Sequence, residues 1–270
     1  MQVVTFPGLN LTFKLSEVAI EIGGLQIHWY AVFIAIAIIM AMIIYRLYNG
    51  KFGIKFDDIF DMSLFVIPIS VISARIYYIL FNFEYYFVNP SEIFNVRLGG
   101  MAIYGSIIGG VITCYILCKI KKINFLDLLD YIVPVIALGQ AIGRIGNFVN
   151  VEAYGNETML PWRMGIYEGN TYMEVHPTFL YELLVTMSIF ILLTIKKDKR
   201  KFKGEFVCIY LIIYGLGRAF IEGYRTDSLM LGPLRVSQIL SMALFVIFTI
   251  IYLFKTIKIK KESKIPEKSN

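Results

Sequence analysis

Seven long apolar segments constrain what this chain can fold into. Each holds about 20 residues, the number that a helix needs to cross a hydrocarbon core about 30 Å thick. We therefore expect an all-α integral membrane protein, a bundle of seven transmembrane helices with short loops. The segments lie near residues 28–45, 59–82, 101–119, 128–150, 177–195, 204–222 and 236–254.

The composition excludes an aqueous globular protein. Hydrophobic residues make up 57% of the 270 residues and charged residues 17%, against roughly 25% charged residues in soluble domains. The mean hydropathy is +0.67. Because the bundle, residues 27–254, leaves no room for a separate soluble domain, we expect one membrane-embedded domain over residues 1–270.

The first 25 residues of the N-terminal segment, residues 1–26, have no basic start, long apolar stretch or cleavage site, so we do not expect them to form a signal peptide. Its alternating runs at 11–15 and 18–22 are followed by Gly23 and Gly24. This pattern predicts a short extracytoplasmic hairpin.

Basic residues are distributed unevenly between alternate loops. The loops near residues 46–55, 119–122, 196–203 and 255–268 carry 18 Lys and Arg. The opposite side carries five, namely Lys14, Arg97, Arg163, Arg225 and Arg235. Because positive loops stay in the cytoplasm, we expect the N-terminus outside and a basic cytoplasmic tail at 255–270. The lysines are interpreted as topology signals that can also bind anionic membrane lipids, and not as a nucleic-acid site.

Three arginines, Arg75, Arg144 and Arg218, lie inside predicted helices. A charged side chain at the bilayer centre costs about 2.5 to 3.5 kcal/mol on insertion scales, so a purely structural bundle would avoid three of them. Their offsets along the segments place all three in the outer-leaflet half of the membrane, about 21 to 26 Å from the cytoplasmic edge. Surplus positive charge there suits the phosphate of an anionic phospholipid, which Arg binds bidentately.

Other polar residues share helical faces with these arginines. One stripe at i, i+4, i+7 and i+10 consists of Gln140, Arg144, Asn147 and Asn150, and a similar one of Tyr214, Arg218, Glu222 and Arg225. The expected outer-side constellation sets Arg75, Arg144, Arg218 and Arg225 against Glu152, Glu182 and Glu222. The alternative is that arginines near helix ends snorkel to the interface or pair with those glutamates.

Small residues and cysteines carry less specific signals. The pairs Gly105/Gly109 and Gly139/Gly143 let helix backbones approach closely, although such thin walls could also make room for acyl chains. The three cysteines lie in apolar runs without His or Cys neighbours at metal-ligand spacing. We expect no metal, no nucleotide site and no cofactor.

The run from Gly143 to Gly155, GRIGNFVNVEAYG, resembles the signature of the bacterial prolipoprotein diacylglyceryl transferases. The likeness extends over nearly the whole chain. It includes His28-Trp29-Tyr30, Ala74-Arg75, Gly99-Gly100-Met101, His176-Pro177-Thr178, Tyr181-Glu182, Tyr214-Gly215, Arg218, Glu222, Arg225 and Ser237-Gln238.

The resemblance implies a seven-helix enzyme of the bacterial plasma membrane with its active site toward the extracytoplasmic side. It would move the diacylglyceryl group of phosphatidylglycerol onto the lipobox cysteine of a prolipoprotein, giving a thioether and glycerol phosphate, the first step of lipoprotein maturation. The residues expected to act in catalysis are Arg144, Arg218, Tyr104 and Tyr214. Those expected to bind substrate are Tyr30, Arg75, Asn147, Asn150, Glu152, Gly155, Glu182, Glu222 and Arg225.

In the resulting hypothesis Arg144 and Arg218 hold the lipid phosphate, and preorganised cations in a water-poor site stabilise its departure. Asn147 and Tyr30 orient the headgroup, and Tyr214 lies near the incoming thiol. Many family members carry a His, proposed as general base, where this chain has Tyr104. Because tyrosine has a reference pKa near 10, the alternative is that the arginines make the substrate thiol more acidic. A second departure, Phe179 in place of a frequent Gln, is expected to alter packing more than chemistry.

A membrane phospholipid transporter or flippase is the competing interpretation, since it would also bury charges near a translocation route. It predicts polar residues that continue to the cytoplasmic side, whereas residues 189–195 and 243–251 show no such path. A retinal-type photoreceptor needs a Lys in the final helix, and residues 236–254 contain none.

Overall fold

The structure is a computed structural model that describes residues 2–95, 99–226, 230–232 and 234–262. Arg97, Lys264 and Lys268, which the orientation argument uses, lie outside these residues. The helices are α1 Trp29–Leu47, α2 Phe56–Phe81, α3 Phe83–Val88, α4 Ile103–Lys121, α5 Phe125–Val149, α6 Thr178–Ile195, α7 Glu205–Glu222 and α8 Val236–Glu262. The strands are β1 Gln2–Phe6, β2 Leu11–Leu15, β3 Val18–Ile22, β4 Leu25–His28, β5 Met164–Glu168, β6 Thr171–Val175, β7 Met230–Leu231 and β8 Leu234–Arg235.

Six of the described helices are long and apolar enough to cross a membrane, namely α1, α2, α4, α5, α6 and α8. Much of their apolar surface is exposed, as expected for helices that face lipid. The remaining predicted segment, 204–222, forms α7. This helix carries three charged residues, Glu205, Arg218 and Glu222, within its 18 residues.

The chain divides into two compact units, one of Met1–Ile44 with Ile132–Asn270 and one of Tyr45–Tyr131. The first unit contains the strands, α6, α7, α8 and most of α1 and α5. The second contains α2, α3 and α4.

The all-α prediction is wrong in one respect, because the first unit contains a four-stranded sheet of order β2-β1-β5-β6. The predicted hairpin is instead two hairpins. Strand β2 pairs with β1, and β3 pairs with β4 around a turn at Gly23 and Gly24, both with positive φ. Strand β1 also pairs with β5, in the antiparallel direction, through Thr5 and Gly165. The sheet therefore joins two segments that are far apart in the sequence.

The sheet packs against the C-terminal end of α5 and the N-terminal end of α6. Its buried core consists of Val4, Phe6, Met164, Ile166 and Val175, together with Phe179 of α6. The Phe179 ring stacks on that of Phe148 at the end of α5, with centroids 5.1 Å apart. Because aromatic contacts of this kind bury large areas, the sheet fixes α5 and α6 relative to each other at this end.

The two glycine pairs differ in how closely other atoms approach them. A Cβ at Gly105 or Gly109 of α4 would overlap Ser73 of α2, so these residues permit the close helix packing that their spacing predicts. A Cβ at Gly139 or Gly143 of α5 would meet no atom of the described neighbouring residues within 4 Å. Within the described part of the chain, the structure thus shows no close helix packing at that pair, and the alternative, that these glycines make room for acyl chains, stays a prediction.

Candidate functional site

A buried carboxylate on α6 gathers the arginines of the first unit. Glu182 has a side-chain exposure of 2% and accepts hydrogen bonds from Arg144 of α5 and Arg218 of α7. Its Oε1 also lies 3.3 Å from Nη1 of Arg225, which follows α7. Three guanidinium groups from three parts of the chain thus meet at one carboxylate.

The helical repeat places the partners of each arginine on the same face. Glu222 lies one turn after Arg218 on α7, and its Oε2 is 2.7 Å from Arg218 Nη2. Asn147 lies three residues after Arg144, whose Nη1 donates to Asn147 Oδ1 over 2.8 Å. Each arginine therefore keeps a fixed direction through a partner on its own helix.

A chain of polar side chains leads from Arg144 to Glu152. Asn147 Nδ2 donates to Glu152 Oε1 over 2.8 Å, and Asn150 Nδ2 donates to the same oxygen over 3.4 Å. The Glu152 side chain is otherwise exposed. The buried Oδ1 of Asn150 has no hydrogen-bond partner among the described residues.

The segment after α5 bends sharply before it reaches Gly155. Val151 and Ala153 adopt φ values of 52° and 57°, a strained conformation for residues with a side chain. The N–H of Gly155 donates to His176 O over 2.9 Å, and a β-bridge joins Gly155 to Arg225. A Cβ at Gly155 would lie 2.7 Å from Tyr224 O, so only glycine allows this close approach beside the arginines.

Two tyrosines lie beside these groups. The Tyr30 ring of α1 packs on Gly146, where a Cβ would approach the ring to 2.7 Å. The Tyr214 phenol lies within electrostatic range of Glu182, Arg218 and Arg144. Its ring stacks on that of Tyr210, with centroids 5.4 Å apart.

The arrangement is suited to binding an anion at the arginines. Guanidinium groups stay charged at any accessible pH and match phosphate oxygens in geometry. Glu182 balances only part of the positive charge of the three guanidinium groups that contact it. Arg144 and Arg218 reach Glu182 through one N–H each, which leaves further N–H groups of the same planar forks for an incoming phosphate.

A sequence model of the prolipoprotein diacylglyceryl transferases matches residues 17–254. The chain belongs to the prolipoprotein diacylglyceryl transferase family. With its six apolar helices, this member of the family is a multi-pass membrane transferase.

Several relatives carry the name phosphatidylglycerol–prolipoprotein diacylglyceryl transferase. One from Finegoldia magna is 44% identical over 252 residues, which cover 93% of this chain and 100% of the relative. One from Clostridioides difficile is 45% identical over 84% of this chain and 90% of its own length. One from Clostridium novyi is 42% identical over 92% of this chain and 98% of its own length.

In this transferase most of the predicted site residues lie in the first unit. There the structure brings together Arg144, Asn147, Asn150, Glu152, Glu182, Tyr214, Arg218, Glu222 and Arg225, with Gly155 and Tyr30 beside them. Arg75 and Tyr104 belong to the second unit.

Within the second unit, Arg75 of α2 directs all five guanidinium N–H groups at backbone carbonyls. Nε donates to Ile93 O, Nη1 to Gly99 O and Gly100 O, and Nη2 to Glu92 O and Asn95 O, over 2.7 to 3.3 Å. No N–H of Arg75 is left to bind phosphate. We therefore assign Arg75 to holding the chain that leads into α4, where Tyr104 is the second residue and is 38% exposed.

Sequence reasoning missed residues whose role depends on the backbone. Arg235 donates to Glu222 O at the end of α7, and Gln238 Nε2 donates to Ala219 O over 3.0 Å. The contact of Gln238 had one sequence signal, because a polar residue at the start of an apolar segment is unusual. Nothing in the sequence distinguishes Arg235 from the other outer basic residues.

A second missed group surrounds His176, just before α6. Trp162 Nε1 donates to Tyr181 Oη over 2.8 Å, and His176 Nδ1 lies 3.1 Å from the same oxygen. Because Trp can only donate, the Tyr181 hydroxyl is free to donate to Nδ1. Burial lowers the pKa of His176, which favours the neutral imidazole that this hydrogen bond requires.

Proposed function

We propose that this chain transfers the diacylglyceryl group of phosphatidylglycerol to the cysteine thiol of a prolipoprotein. The substrate sulfur attacks the carbon of the diacylglyceryl group that carries the phosphate. The bond between this carbon and the phosphate oxygen breaks, and glycerol phosphate leaves with the bonding electrons. The names of the relatives support both substrates. The observation that carries the proposal is the meeting of three guanidinium groups at Glu182.

Arg144 and Arg218 are the proposed phosphate-binding residues. The phosphodiester carries one negative charge and the departing monoester gains a second as the bond breaks. Cations held in place before the reaction therefore bind the transition state more strongly than the intact lipid. Glu182 keeps the two arginines together before the lipid arrives, and Glu222 and Arg225 support them from α7 and its end.

The remaining residues are assigned to orientation and proton transfer. Asn147 and Tyr30 orient the headgroup, with Asn150, Glu152 and Gly155 shaping its surroundings, and Tyr214 lies near the incoming thiol. Proton removal has two candidate explanations. Tyr104 could accept the thiol proton, or the arginines could lower the thiol pKa enough for the thiolate to form without a dedicated base.

The proposed setting is the bacterial cytoplasmic membrane, with the site toward the extracytoplasmic side. We propose that α7 is a seventh crossing, that the N-terminal strands lie outside and that the basic end of α8 lies in the cytoplasm. The uneven distribution of Lys and Arg between alternate loops supports this orientation. Residues 1–270 would then act as one membrane-embedded domain.

The first test uses the purified chain with phosphatidylglycerol and a lipobox peptide, read by mass spectrometry beside a Cys→Ser peptide. A diacylglyceryl mass gain on the thiol peptide alone is expected. Arg144→Ala should lower this transfer at least about 100-fold because it removes an interaction with the leaving phosphate, while the variant stays folded. Lipid movement between leaflets without any mass gain would favour a transporter, and full transfer by Arg144→Ala would remove Arg144 from the site.

A further inference from the structure

Beyond the arginines, the outer end of α5 presents hydrogen-bond acceptors. Glu152 Oε1 is held by amide groups of both Asn147 and Asn150, and the Glu152 side chain makes no other hydrogen bond among the described residues. In this exposed carboxylate, the second oxygen and further lone pairs on Oε1 therefore remain available to accept hydrogen bonds.

The orientation of the Asn150 amide is set by its partner. A carboxylate only accepts hydrogen bonds, so the amide must turn its NH2 group toward Glu152. Its Oδ1 then points elsewhere, and this buried oxygen has no partner among the described residues. Because a buried acceptor without a donor is unfavourable, a donor brought by the ligand fits this position.

The network thus has two chemically different ends. Arg144 offers N–H donors, and one side-chain amide, that of Asn147, separates it from Glu152. Donors at one end suit a phosphate, and acceptors at the other suit hydroxyl groups a few bonds away. A glycerol headgroup has this pattern, because its phosphodiester is followed by two neighbouring hydroxyls.

We propose that Glu152, held by Asn147 and Asn150, accepts hydrogen bonds from the glycerol hydroxyls of the lipid headgroup and selects that headgroup among phospholipids of equal charge. This inference rests on the proposed function. The arginines bind the phosphate of any such lipid, whereas Glu152 binds the alcohol group attached to that phosphate. A site that hydrogen-bonds a hydroxyl discriminates strongly against the analogue without it, because its own polar groups are then left unpaired.

The experiment compares two donor lipids with the same acyl chains. Phosphatidyl-1-propanol keeps the phosphodiester charge and the three-carbon headgroup but lacks both hydroxyls. Phosphatidylethanolamine is unsuitable because its ammonium group is itself a donor. The unmodified chain should show a kcat/KM about 10- to 100-fold higher for phosphatidylglycerol than for phosphatidylpropanol, measured by thioether formation on a lipobox peptide.

Substitutions test whether Glu152 is responsible for the preference for phosphatidylglycerol. Glu152→Gln keeps the side-chain shape but weakens the acceptor, so the ratio should fall below about threefold through a loss of kcat/KM for phosphatidylglycerol. Glu157→Gln is the matched control, since this exposed carboxylate lies five residues away and outside the network, and it should keep the full ratio. Asn150→Leu removes one of the two amides that hold Glu152 and should give an intermediate ratio, which also serves if Glu152→Gln is inactive on both lipids.

The outcomes separate this inference from the function on which it rests. Equal transfer from both lipids by the unmodified chain would overturn the headgroup role of Glu152 and leave the transferase activity standing. An unchanged ratio in both Glu152→Gln and Asn150→Leu would do the same. Absence of transfer from either lipid by the unmodified chain would overturn the proposed function itself.

Discussion

At the scale of single residues, the charge of Glu182 allows three guanidinium groups to lie together beneath apolar helices. Like charges at such distances repel, and desolvation raises the free energy of each. The carboxylate offsets both effects at the point where Arg144, Arg218 and Arg225 meet. In the proposed function, the lipid phosphate would take over part of this role when it binds.

Glu182→Gln should therefore lower the free energy of unfolding by about 3 to 5 kcal/mol, because buried cations lose their paired carboxylate. Added phosphatidylglycerol should raise the melting temperature of this variant more than that of the unmodified chain, since the lipid supplies the missing negative charge. Thermal unfolding in detergent, with and without lipid, measures both effects. Glu168→Gln, an exposed carboxylate on β5, is the control, and equal behaviour of the two variants would contradict this account.

Tyr104→Phe distinguishes the two explanations of proton removal, because it deletes only the hydroxyl. If the arginines acidify the substrate thiol, the variant should keep kcat within about twofold of the unmodified value over pH 6 to 9. If Tyr104 is the base, kcat should fall about 100-fold or more. The measurement is the pH profile of transfer to the lipobox peptide.

At the scale of elements, α5 carries two glycines with opposite surroundings. Gly146 faces the Tyr30 ring, whereas a Cβ at Gly139 would meet nothing within 4 Å in the part of the chain that the structure describes. The absence of a side chain is therefore needed for packing at Gly146 but not at Gly139, which lies two turns earlier on the same helix. Alanine substitutions at these two glycines therefore form a matched pair.

Gly139→Ala should stabilise the protein by up to about 1 kcal/mol, because alanine favours the helix and meets no neighbour. Gly146→Ala should shift the Tyr30 ring and raise the KM for phosphatidylglycerol, since Tyr30 is proposed to orient the headgroup. Melting temperature and steady-state kinetics of the two variants check both expectations. A Gly146→Ala variant with unchanged KM would show that the position of Tyr30 does not matter for lipid binding.

At the scale of the whole molecule, the six helices that are long and apolar enough to cross a membrane were predictable from length and hydropathy, since the membrane imposes both. Arg144 and Arg218 were predictable as site candidates because charge in an apolar helix is expensive. The sheet was not, because β5 and β6 are five-residue strands, and β5 pairs with β1, which lies far away in the sequence at residues 2–6. The five carbonyl partners of Arg75 were equally hidden, because backbone groups have no sequence signature.

The seventh crossing can be tested by cysteine labelling in a chain whose three native cysteines are replaced. Met230→Cys, after α7, should react with a membrane-impermeant maleimide in intact cells, whereas Lys199→Cys, between α6 and α7, should react only after permeabilisation. This result is expected if α7 spans the bilayer despite its three charged residues. Glu168→Cys provides the outer control, and equal protection of residues 199 and 230 would show that α7 does not cross.

The pairing of Thr5 with Gly165 also has a consequence for biogenesis. A ribosome adds about 5 to 20 residues per second, so the first strand waits on the order of 10 to 30 seconds for its neighbour to be made. During that interval one edge of the early hairpin lacks its partner while several hydrophobic segments enter the membrane. Completion of the sheet therefore waits until the middle of the protein has been synthesised, and only then can the sheet pack against α5 and the later helix α6.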